Sequence, residues 1–149
     1  MRRLLERIFG LPLSAEGRAS AYETMVGHRS PEETVEFLRS GAAHNTEKSG
    51  ALLGAQGIFV VVDIFAIDHG WPRSAVLVSL LLLVAGSLVV MTNLRSTLGA
   101  YHHPGALPGG DPSPAIFRMV LGRHLRFNIA LYLSFLSIML LGLASFGAS

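Results

Sequence analysis

The sequence predicts an all-α integral membrane protein, with three transmembrane helices behind an N-terminal cytoplasmic helical region. Three observations carry this reading. Half of the 149 residues are hydrophobic and 15% are charged, against about 25% charged in a soluble domain. The charges are unevenly placed: between Lys48 and Arg95 only Asp63, Asp68 and Arg73 are ionised. Three apolar runs each come close to the ~20 residues a helix needs to cross a ~30 Å hydrocarbon layer.

Composition also excludes several classes. Disorder requires low hydrophobicity and many charges, and the mean hydropathy is +0.48. With no cysteine there is no disulfide scaffold, thiolate nucleophile, iron–sulfur cluster or Cys-based zinc site. The balance of 12 Lys+Arg against 10 Asp+Glu does not describe a nucleic-acid binder.

The region 1–47 reads as cytoplasmic and helical. Residues 1–9 place Leu4, Leu5 and Ile8 on one helical face, with Arg2, Arg3 and Glu6 elsewhere, before Gly10 and Pro12 end the turn. Such a segment either lies on the membrane surface or frays, being so short. Its apolar stretch is too short for a signal peptide and is broken by Glu6 and Arg7, so the N-terminus is expected to be retained. Ser14–Gly27 is a weaker helical stretch, interrupted by Gly17. Ser30-Pro31-Glu32-Glu33 is a sharper start: Ser30 caps, Pro31 suits the first turn, and Glu33 completes a capping box. That helix is expected to run from Pro31 through Lys48 into the first span, with Val35, Leu38 and Ala42 on one face.

The membrane domain then occupies 48–149, with spans at about 49–68, 74–94 and 127–147 and a cytoplasmic loop at 95–126. Four glycines and four prolines between Gly99 and Pro114 break regular structure. Ser113-Pro114 repeats the cap-then-proline start, so a helix from Pro114 is expected to carry Arg118, Arg123 and Arg126 into the third span. Basic residues number seven before the first span, one in the first turn, four before the third span and none after it. This alternation follows the positive-inside rule and places the N-terminus in the cytoplasm and the C-terminus outside an inner (cell) membrane. Trp71 fits an interfacial anchor in the outer turn.

Asp63 is the sharpest candidate for chemistry, because an ionisable group inside a span is costly. Ser49, Gln56 and Asp63 are spaced by seven and share one polar stripe turned away from lipid. Two readings stand for Asp63: a proton- or cation-binding carboxylate lining a path, or a packing residue that hydrogen-bonds Ser79 or stays protonated. Gly50, Gly54 and Gly57 form a second stripe suited to close helix packing, within one copy or between copies. Arg2, Arg3, Arg7, Arg95, Arg123 and Arg126 are expected to hold anionic lipid headgroups. No metal site is expected. His102-His103 would need His124 to fold back, with no carboxylate or Cys ligand beside them. No phosphate loop, nucleophile elbow or His-Glu-x-x-His is present, so neither catalytic residues nor a cofactor are expected.

The stretch Asn45-Thr-Glu-Lys48-Ser-Gly-Ala-Leu-Leu-Gly-Ala-Gln-Gly57 resembles the start of the first transmembrane helix of bacterial Pycsar-type effector membrane domains and related SLATT-like modules. Residues 118–142 are compatible with their last helix. Thr46 stands where the family has Asp, Ser49 replaces Ala, the 95–125 connection is short and a cyclic-nucleotide-binding domain is absent. The resemblance implies bacterial origin, a membrane-perturbing defence effector or related module, and Lys48 as the matching first residue. Two function classes follow. One is a non-enzymatic membrane protein acting through helix–helix assembly, as a homo-oligomer or a subunit of a larger complex. The other is a small ion or proton conductance using Asp63.

Overall fold

The computed structural model describes residues 14–100 and 113–147 together with Glu6, Leu11 and Pro12, with side chains described over 14–94 and 113–146. Among the described residues four helices are delimited: α1 (Ala15–Val26), α2 (Pro31–Asp68), α3 (Arg73–Ala100) and α4 (Ser113–Gly147). α2, α3 and α4 pack mutually into a three-helix bundle, and each is long and apolar enough to cross a membrane. The expected surface helix at 1–9 lies outside the described residues except Glu6, whose carboxylate accepts the Ser14 N–H at 2.8 Å.

Local chemistry sets the helix ends. Ser14 caps α1 by accepting the Gly17 N–H at 3.0 Å. Gly17 therefore starts the helix rather than interrupting it, and a Cβ there would lie 2.6 Å from Ser14 Oγ. Ser30 and Glu33 form the expected capping box: Ser30 Oγ accepts the Glu33 N–H at 3.2 Å, and Glu33 Oε2 accepts the Ser30 N–H at 2.8 Å. α2 then runs 38 residues, about 57 Å at 1.5 Å per residue, so it exceeds a ~30 Å hydrocarbon core by several turns.

The α2–α3 turn closes as a Schellman motif. The Trp71 N–H donates to Ala66 O at 3.1 Å and the Gly70 N–H to Ile67 O at 3.2 Å. Gly70 takes φ +80°, the left-handed conformation that glycine accepts at least cost. Trp71 packs on the apolar cluster of Ala66, Val76 and Leu141 that closes this end of the bundle.

Within the connection expected over 95–126, the helix expected from Pro114 is present, and α3 in addition runs past the end of its expected span at 94. α3 continues to Ala100 and α4 begins at Ser113, one residue before Pro114. No proline stands between Arg73 and Ala100, so nothing stops α3 at the end of its apolar run.

The capping box yields a pH prediction. The backbone and hydroxyl donors of Ser30, with a smaller contribution from the Arg29 charge, hold the Glu33 carboxyl below the usual carboxylate range. Its folded value lies below its unfolded value. The stabilisation is therefore complete above the unfolded value and is lost as pH falls through the folded one. Amide exchange over the first turn of α2, taken relative to the intrinsic rate at each pH, should accelerate as pH falls through the folded Glu33 value. Ser30→Ala should accelerate it at every pH, for a cap worth about 1 kcal/mol.

Candidate functional site

All three bundle helices repeat their buried residues at seven. On α2 the inner line is Ala42, Ser49, Gln56 and Asp63; on α3 it is Val76, Leu83 and Val90 beside Ser79, Gly86 and Asn93; on α4 it is Arg123, Ala130 and Ser137 beside Ser134 and Leu141. A strict seven-residue repeat is the seam of a left-handed coiled bundle. Here the seam is rich in polar groups, whereas the outer face carries Ile58, Val61, Phe65, Leu77, Leu81, Leu88, Phe135 and Leu143.

The polar residues meet in layers along that axis. Gln56 bridges all three helices. Ser134 Oγ donates to Ala130 O at 2.9 Å, which leaves its lone pairs to accept from Gln56 Nε2 at 2.8 Å. That fixes the amide orientation, so Gln56 Oε1 faces α3 and accepts from Ser87 Oγ at 2.9 Å. Every amide atom used is paired, as a buried amide requires. Gly86 makes the room: a Cβ there would stand 2.7 Å from Gln56 Nε2 and 3.4 Å from Ala130 O.

Seven residues further on, about 10.5 Å along the axis, Asp63 forms a second three-helix layer. It is wholly buried, and Ser79 Oγ lies 3.0 Å from Asp63 Oδ1 and 2.6 Å from Ser137 Oγ. Asp63 Oδ2 is buried with no hydrogen-bond partner. In the opposite direction Ser49 is also wholly buried. Beyond it Asn45, Asn93 and Arg123 are buried, and Asn93 Nδ2 donates to Arg123 O at 3.0 Å.

The structure thus brings Ser49, Gln56 and Asp63 onto one inner line, sets Ser79 against Asp63 as one of the two readings of that residue expects, and adds Ser87, Ser134 and Ser137, which sequence reasoning missed. Gly50, Gly54 and Gly57 do not pack inside the bundle. They lie on the exposed side of α2, and a Cβ on any of them would meet nothing within 4 Å. Arg123 corrects an expectation. It does not reach outward to lipid headgroups but is 2% exposed, because it stands seven residues before Ala130 and fourteen before Ser137 on the inner line. Arg126, three residues on, is exposed. Arg2, Arg3, Arg7, His102, His103 and the Arg95 side chain lie outside the described residues. Among the described residues no three His, Cys, Asp or Glu side chains gather as metal ligands.

The chain matches no family model, no curated protein and no solved structure.

Proposed function

We propose that the protein is a non-enzymatic, multi-pass membrane protein that acts through helix–helix assembly, as an accessory subunit or effector-like module of the inner membrane. Its N-terminus lies in the cytoplasm and its C-terminus outside, following the uneven distribution of basic residues. Lipid surrounds the bundle, and a second copy or a subunit of a larger complex packs on α2.

One observation carries the assembly reading. The bundle satisfies its internal packing with the polar seam and leaves the Gly50, Gly54 and Gly57 face of α2 uncovered. Lipid gains nothing specific from such a face, whereas another helix can approach its backbone closely. Gly54→Leu is expected to weaken association about tenfold, roughly 1.4 kcal/mol, with helicity unchanged. Crosslinking in mild detergent and circular dichroism check both halves. A wild-type protein that is monomeric in mild detergent and brings no subunit with it refutes the reading.

A second reading is a small ion or proton conductance through the seam. It is favoured by Asp63, whose Oδ2 is buried without a hydrogen-bond partner. Flux into sealed vesicles that survives Asp63→Asn unchanged removes it.

A further inference from the structure

We infer that the Asp63–Ser79–Ser137 layer is a binding site for one monovalent cation, a proton or a sodium ion, held at equilibrium inside the bundle. This rests on neither functional reading, because binding requires neither assembly nor a path across the membrane.

The argument begins with charge. Asp63 is fully buried, and one of its oxygens has no partner. A buried carboxylate is tolerated when a counter-charge or several donors compensate it. Among the described residues no counter-charge faces it. On α3, residues 74–94 contain no titratable group; on α4, residues 127–146 contain only Tyr132, which is exposed. On α2 and its C-cap the nearest titratable groups, Asp68 and His69, are exposed. Arg73 is also exposed and stands about 9 Å along the axis from Ser79. Among the described residues the one hydrogen-bond donor to Asp63 is the Ser79 hydroxyl.

The Gln56 layer shows what a closed polar layer looks like in this bundle: its chain of donors ends on a backbone carbonyl. The Asp63 layer ends instead on an open carboxylate oxygen. A monovalent cation removes the negative charge that this layer otherwise leaves uncompensated. With the carboxyl ionised, Ser137 donates to Ser79 and Ser79 to Asp63 Oδ1. A proton on Oδ1 reverses that order, and Asp63 donates to Ser79 and Ser79 to Ser137. The same three side chains therefore serve both states without moving. A sodium ion would take the same side-chain oxygens as hard ligands.

Infrared difference spectroscopy of the full chain in lipid bilayers tests this, with Asp63→Asn as reference. In sodium-free choline buffer at neutral pH, the wild type is expected to show a neutral-carboxyl band that is absent from Asp63→Asn. Its persistence through a NaCl titration identifies the proton as the ligand. Its replacement by a carboxylate band as NaCl is added identifies sodium. A carboxylate band present from the start and indifferent to sodium overturns the proposal. So does a neutral-carboxyl band that Asp63→Asn leaves in place. Should Asp63→Asn fail to fold, Ser137→Ala serves as the reference: a wild-type band that this change does not shift also overturns it. Unsealed bilayers read binding alone, so a null result for flux or for oligomerisation leaves this measurement intact.

Discussion

Gly86→Val is expected to destabilise the bundle by about 3 kcal/mol, the upper part of the range for overpacking a filled core. The side chain would start 2.7 Å from Gln56 Nε2 and 3.4 Å from Ala130 O. The amide end of a glutamine ordinarily swings aside at little cost. Here it is tied to Ser134 on one side and Ser87 on the other, so making room means breaking the layer that joins all three helices. Hydrogen bonds between membrane helices are worth about 0.6 kcal/mol on average and up to about 1.7, and two would be lost together. Gly86→Ala should cost less, about 1–2 kcal/mol, and its cost should fall sharply once Gln56 is also alanine. The resulting coupling should reach about 1 kcal/mol, measured by SDS-driven unfolding in mixed micelles. Equal costs of Gly86→Ala in both backgrounds would show that Gln56 and Gly86 do not constrain one another.

That pairing marks where the sequence stops being readable. The spans and the start of α2 are written in local signals, namely charge-free runs and Ser30-Pro31-Glu32-Glu33. The line of Ser49, Gln56 and Asp63 is visible because polar residues stand out inside an apolar run. On the other side of the layers only Ser79 is legible, as the partner of Asp63 on the returning helix. Ser87, Ser134 and Ser137 are ordinary residues of membrane helices, and only the register of three helices decides which of them face Gln56 and Asp63. Gly86 gives no turn or breaker signal, since its role is a close approach set by another helix. Arg123 sits where a span begins, so its charge suggests headgroups; the seven-residue line through Ala130 and Ser137 turns it inward instead. The seven-residue repeats of α3 and α4 held that information, diluted by apolar residues on every face.

The second large effect concerns the outer face, and it separates a membrane bundle from a soluble one. Leu81 is 69% exposed on α3 and lies about 12 Å along the helix from Arg73, near the middle of the run Arg73–Leu94. On a soluble protein an exposed Leu→Arg change stays within about ±0.5 kcal/mol. At the centre of a bilayer the same change costs about 2.5–3.5 kcal/mol on insertion scales. Leu81→Arg is therefore expected to block or strongly reduce membrane insertion. Ser20→Arg, on the exposed side of α1, should change it little. Leu83→Arg is uninformative, because that residue is wholly buried and would fail in either solvent. Flotation of the expressed protein with membranes, followed by carbonate extraction, reads the difference. A Leu81→Arg variant as membrane-bound and as stable as the parent would mean that no hydrocarbon touches this face. The expectation agrees with the seam. Water would drive Leu81, Phe135 and Leu143 inward and leave serines outside. Lipid removes that drive between helices and leaves packing and interhelical hydrogen bonds to hold them together, the arrangement in which Gln56 and Asp63 lie inside and the leucines out.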